Sequence, residues 1–90
     1  EQDFLARHGL DNSTLLQLFD WSEEQFLKHT EGSAIRRIGH ERWCRNLAVA
    51  IGNGSPSTEV FQALEKKEKN ASELVREHIA WARNRLKTGV

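Results

Sequence analysis

The sequence predicts an all-α fold of about five helices, and two observations carry that prediction. No segment alternates apolar and polar residues over strand length, and Val, Ile and Thr never cluster. Serines instead stand before apolar stretches at helix-start spacing, and apolar residues recur at helical intervals behind them.

The elements follow in order. Residues 1–12 carry Phe4, Leu5 and Leu10 around Gly9 and read as an extended lead-in pinned by a few apolar anchors. A short helix at about 13–19 follows, with Ser13 as its N-cap and Leu15, Leu16, Leu18 and Phe19 as its apolar content. Trp21 marks the next junction. Ser22-Glu-Glu-Gln25 is a capping box, in which Ser22 and Gln25 each satisfy a free backbone N–H. That helix runs to about Thr30 and stops at Gly32. Ser33 caps a further helix that Gly39 bends or breaks. From His40 onward, Trp43, Leu47, Ala50 and Ile51 fall at i, i+4, i+7 and i+8, a core-facing stripe. Asn53–Ser57 is the one clear loop, and Gly52-Asn53-Gly54 reads as the C-terminal stop before it. Ser57 caps a helix to about Lys69 with Val60, Phe61 and Leu64 inward. Ser72 caps the last helix, to about Lys87, where Val75, Ile79, Ala82 and Leu86 repeat at i, i+4, i+7 and i+11. Trp43, Leu47, Phe61, Leu64, Ile79 and Leu86 are the expected core.

Two of these helices resemble each other. Leu47-Ala-Val-Ala50 and Ile79-Ala-Trp-Ala82 lie 32 residues apart, with Arg45 and Arg76 offset by 31. A helix–loop–helix period of this size points to α-solenoid packing of the HEAT type. A short helical bundle with coincidental similarity is the alternative.

Composition narrows the function. Ninety residues make one small domain, 1–90, with a modest core. The lack of any Met, including an initiator, suggests a piece of something longer. No apolar run approaches the ~20 residues of a membrane span, and a reduced, cytoplasmic setting fits the single cysteine. Cys44 alone excludes a disulfide framework and an iron–sulfur cluster held by this chain. Cys44 and His40 have the i, i−4 spacing of two metal ligands, but a third is not evident. Beside the apolar stripe, Cys44 reads as a buried structural thiol. His78 reads as a core or boundary histidine, and His8 and His29 show no partner. Asp20, Glu23, Glu24 and Glu31 sit at helix ends, where they cap or complement the dipole. No residue nominates itself as catalytic acid, base or nucleophile, and the isolated chain is expected to hold no cofactor and to have no enzymatic activity.

The arginines are the candidates. Basic and acidic residues number 13 each, but the charge is uneven. Residues 1–32 hold two bases against seven acids, 33–55 four Arg against Glu41, and 76–90 four bases against Glu77. Arg42 and Arg45 share a face with Asn46. Arg76, Ala80, Arg83 and Lys87 fall at i, i+4, i+7 and i+11, an outward stripe on the last helix. If the two similar helices pack in parallel, Arg42, Arg45, Arg76 and Arg83 form one positive surface for phosphates, which guanidinium binds in a bidentate way. The alternative is that Arg36, Arg37 and Arg45 pair with Glu31, Glu41 or the acidic first third.

TEGSAIRRIG, RNLAVAIGN and LVREHIAWA, in this order and with WSEEQFL before them, resemble the C-terminal region of bacterial epoxyqueuosine reductases. The resemblance covers nearly the whole chain and is weakest at 1–14 and 53–70. It implies a parent oxidoreductase that reduces epoxyqueuosine at the tRNA wobble position, the last step of queuosine formation. Such a parent uses two four-iron clusters and cobalamin, and its C-terminal HEAT-like domain helps to hold the tRNA. The implied partners are tRNA and the upstream cluster and catalytic domains of the same chain. The cluster cysteines and catalytic residues of the family lie upstream of the matching region, and Cys44 stands where the family usually has an aliphatic residue. The matching positions are Arg36, Arg37, Arg42, Arg45, Asn46 and Arg76, to which the spacing adds Arg83 as a nucleic-acid-binding candidate. A HEAT-like protein-interaction module with no RNA role is the competing reading.

Overall fold

Serine hydroxyls open most of the helices, as the local chemistry dictates. In the computed structural model, which describes residues 12–88, five α-helices and one 3-10 turn are present, and no strand occurs among the described residues. They are α1 (Asn12–Phe19), α2 (Glu23–His29), the 3-10 turn (Ala34–Ile38), α3 (Gly39–Gly52), α4 (Thr58–Glu68) and α5 (Glu73–Thr88). The lead-in expected over 1–12 lies outside the described residues except for Asn12, which opens α1. Ser13 therefore stands within the first turn of α1 and does not precede it.

The Ser22–Gln25 capping box forms in both directions, at 3.2 Å from the Gln25 N–H to Ser22 Oγ and 2.9 Å from the Ser22 N–H to Gln25 Oε1. Ser33, Ser57 and Ser72 each accept a backbone N–H two or three residues ahead, all at 3.2 Å. Thr30 closes α2, its hydroxyl donating to the Phe26 carbonyl at 2.6 Å. Gly39, at φ +84°, breaks the 3-10 turn from α3; a side chain would be strained at that angle.

α3 and α5 are the centre of the domain, and they run parallel. Near the start of both, the Ser72 hydroxyl donates to Glu41 Oε2 at 2.7 Å. At the end of α3, Gly52 lies against Trp81 and Ala82. The residue offsets at the two ends, 31 and 29–30, lie within three of the 32-residue sequence offset of the similar helices. α4 connects them and packs antiparallel to α5 and against α1.

The core is the inner stripe of each helix: Trp43, Leu47 and Ile51 on α3, Val60 and Leu64 on α4, and Val75, Ile79, Ala82 and Leu86 on α5, with Leu15, Phe19 and Phe26 from the N-terminal helices. Five of the six expected core side chains are buried. Phe61 is only half-buried: Val60 and Leu64, one turn apart, fill the narrow core stripe of α4, and Phe61 falls on its flank beside Glu65 and Arg83. Ala50, at the edge of the α3 stripe, is likewise half-buried.

α3 ends at Gly52 with Asn53 as its C-cap, where the sequence placed the stop, and Gly52 has a packing function besides. It is buried in the last turn of α3, where an added Cβ would sit 2.7 Å from Trp81 Cζ3 and 3.0 Å from Ala82 Cα. The indole can shift, but the Ala82 backbone cannot without moving α5. Gly52→Ala gains ~1 kcal/mol of helix propensity and meets an overpacking cost of typically 1–3 kcal/mol. The expected outcome is a net destabilisation of about 1 kcal/mol, read in urea or thermal unfolding as a Tm lowered by roughly 4–8 °C.

Candidate nucleic-acid interface

The six candidate arginines fall into three groups. Arg36 and Arg37 are exposed on the 3-10 turn. Arg42 and Arg45 lie on α3. Arg42 is exposed, whereas Arg45 is half-buried with its Nε covered and without a hydrogen-bond partner. Arg76 and Arg83 project from α5 toward the end of α4, and both reach Glu68. The Arg76 Nε–H donates to the Glu68 carbonyl at 3.2 Å, a cation at the negative end of α4. The Arg83 guanidinium pairs with Glu68 Oε1 at 2.9 Å, both side chains being about a third exposed. Such a pair contributes less than ~1 kcal/mol to stability, but it lowers the free positive charge of this flank.

Parallel packing therefore does not merge the two arginine pairs into one surface. At 3.6 residues per turn, Arg76 and Arg83 stand about 140–160° around α5 from Trp81, the residue that touches α3. Their flank faces α4, where Arg83 and Lys87 share a shallow depression with Phe61, Glu65 and Glu68. Arg42 and Arg45 belong to the other flank. Spacing assigns residues to a stripe, but it does not reveal which neighbour that stripe faces.

A cleft of about 500 Å³ opens where the α1–α2 junction meets α3, α4 and the start of α5, lined among others by Asp20, His40, Glu41, Cys44, Lys66 and Lys67. Two of its lining side chains converge on the Trp21 carbonyl, which accepts from Lys67 Nζ at 2.8 Å and from His40 Nε2 at 2.9 Å. A carbonyl only accepts, so His40 carries its proton on Nε2. Cys44 Sγ lies 3.3 Å from the same nitrogen. An Nε2 that holds a proton cannot ligate a metal through that atom. Among the described residues no group of three or more His, Cys, Asp or Glu could hold a metal ion. A four-iron cluster takes four thiolates, and this chain has one cysteine. The residues do not fit the metal groups that the resemblance implies for a parent enzyme, and no reaction step is assigned to them.

The same junction corrects the reading of His29. Its ring stacks on Trp21 at 4.5 Å, and Trp21 in turn stacks on Trp43 at 5.7 Å. The Trp43 indole N–H donates to the Leu18 carbonyl at 3.3 Å. Asp20 pairs with Lys66 at 3.3 Å on the exposed rim. Sequence reasoning also passed over Trp81 and Arg85. Trp81 is 42% exposed, with the Arg85 guanidinium 5.7 Å from its ring centroid. The signal available was the repeat itself, because Trp81 is Val49 plus 32, and both are exposed.

Comparison with known proteins gives one consistent answer. The chain is 57% identical over 82 residues to the epoxyqueuosine reductase of Xanthomonas campestris pv. campestris, covering 91% of this chain and 23% of the relative. It is 55% identical over 83 residues to that of Pseudomonas aeruginosa, covering 92% and 23%, and 60% identical over 82 residues to that of Salmonella typhimurium, covering 91% and 21%. This chain is a segment of the epoxyqueuosine reductase family. It spans a fifth to a quarter of the length of these relatives. No family model and no solved structure matches it. Among the described residues no helix is long and apolar enough to cross a membrane.

Cys44 yields a prediction. Burial pushes its thiol above the ordinary value of 9.0, Glu41 adds to the rise, and the Lys67 ammonium opposes it. The folded chain thus holds the proton more tightly than the unfolded chain. This contribution to stability is complete below pH 9 and is lost as the pH rises above it. Alkylation of Cys44 at pH 8 is expected to be slow in the native chain and fast in urea, with unfolding free energy falling above pH 9 in wild type and less so in Cys44→Ala.

Proposed function

We propose that this chain is a HEAT-like helical domain of an epoxyqueuosine reductase, holding the tRNA and bracing the catalytic part during queuosine formation. The observation that carries the reading is the match of nine-tenths of the chain to such reductases at more than half identity. The parallel α3–α5 pair, linked by an α4 that packs antiparallel to α5, supports HEAT-like packing. The two four-iron clusters and the cobalamin belong to the rest of the parent enzyme, which works in the cytoplasm.

Arg36, Arg37, Arg42, Arg45, Arg76 and Arg83 are the phosphate contacts in this reading. They position the RNA without reading its sequence. Exposed on α3, Arg42 contributes most per residue; Arg76 and Arg83 divide their donors between Glu68 and phosphate. Zero net charge leaves the isolated chain with weak affinity, roughly 10⁻⁴–10⁻⁶ M, the range of non-specific contacts.

The test is a salt titration of tRNA binding. Arg42→Ala with Arg45→Ala is expected to weaken binding and to flatten the plot of log K against log salt by about one unit per lost contact. Arg76→Ala with Arg83→Ala is expected to act in the same direction with a smaller effect. Unchanged affinity and slope in both double variants sink the proposal and leave a protein-interaction module.

A further inference from the structure

Four large apolar side chains are exposed among the described residues: Leu27, Val49, Leu74 and Trp81. Three of them lie on one face. Gly52, Val49, Arg45 and Arg42 fall within about 80° of the circumference of α3, the flank that meets Trp81. Leu74 and Arg85 fall within about 40° of Trp81 on α5. Along the helix pair the face runs Arg42, Arg45, Val49, Trp81, Arg85. Arg45 precedes the Gly52 contact by two turns, or ~10 Å. Of the acids on this side, Glu41 is bonded to Ser72, and Glu77 lies one turn before Trp81, opposite in direction to Arg85.

The indole is held in place. Its Cζ3 lies over Gly52 so closely that no Cβ fits beneath it, so α3 backbone braces the ring from one side while 42% of the residue faces solvent. The Arg85 guanidinium lies over the ring, 5.7 Å from its centroid. It is on an exposed side chain, so a base that stacks on the indole takes its place and the displaced cation is free to meet the adjoining phosphate. A base stacked on a ring already fixed in position costs little ordering on the protein side.

Resting on the RNA-holding function above, we propose that Trp81 is a stacking platform for one unpaired RNA base, with Arg45 and Arg42 on one side and Arg85 on the other holding the adjoining phosphates. The ligand is a single-stranded stretch, such as a loop. A continuous duplex offers phosphates but no free base face.

The experiment uses the full chain and a fluorescein-labelled tRNA anticodon stem–loop, with a blunt RNA duplex of the same length as the comparison. Trp81→Ala is expected to lower stem–loop affinity about five- to a hundredfold, leave the salt slope unchanged and bring the stem–loop down to the level of the duplex. Trp81→Phe is expected to recover most of the loss. A second measurement needs no variant: Trp43 is buried and Trp21 half-buried, so acrylamide quenching reports chiefly on Trp81, and saturation with stem–loop is expected to protect it. Equal stem–loop affinity in wild type and Trp81→Ala, or quenching that RNA does not reduce, overturns the proposal and leaves the indole to a protein partner. If the Arg42→Ala, Arg45→Ala variant still loses affinity in that case, the phosphate-holding function stands without the stacking site. If RNA does not bind wild type at all, both fall.

Discussion

The close approach of α3 and α5 at Gly52 sets the geometry of the rest of the domain. Two parallel helices can come this near only where one of them lacks a Cβ, and here the missing atom is replaced by the Trp81 ring and the Ala82 backbone. That contact, with the Glu41–Ser72 bond at the other end, fixes the register of the pair. With the register fixed, α4 has one place to lie, and the flanks of α5 acquire different neighbours. Every statement about which arginines can act together follows from that assignment.

Glu68 is the second determinant. Its backbone carbonyl and its carboxylate receive one arginine each, so a single residue at the end of α4 draws inward much of the positive charge of the last helix. On the opposite flank Glu41 is bonded to a serine hydroxyl, and Glu77 stands against Arg42, Arg45 and Arg85. A chain with zero net charge can in this way present one side as a basic surface and the other as a balanced one.

What the sequence made legible was the local part. Ser22, Ser33, Ser57 and Ser72 cap helices because a cap needs only the few residues that follow it, and the α5 stripe of Val75, Ile79, Ala82 and Leu86 is buried because periodicity alone assigns it. What required the fold was pairwise and distant. His29 has a stacking partner in Trp21 across the body of α2, Gly52 answers to a side chain 29 residues on, and Phe61 is displaced from the core by its neighbour Val60. The motifs quoted for the reductase family located the chain correctly. The helical arithmetic on the arginines was right about their stripes, and it lacked the information on what each stripe faces. Trp81 falls outside the inward stripe of Val75, Ile79, Ala82 and Leu86, and the spacing alone gives such a residue no neighbour.

The Trp21 carbonyl, gripped by His40 and Lys67, implies an order of assembly. Helices of eight and seven residues do not persist in water by propensity alone, so α1 and α2 hold their shape only once docked. The groups that dock them come from α3 and α4, up to 46 residues downstream. α3 and α5 pack on each other over most of their length, and α4 is joined to α5 by a short connection, so the three form the larger unit. The N-terminal pair then joins a surface already in place, and on opening it is the first to leave. Backbone amides of α1 and α2 accordingly sit at the low end of the protection scale, and those of Leu47 and Ile79, deep in the three-helix unit, at the high end.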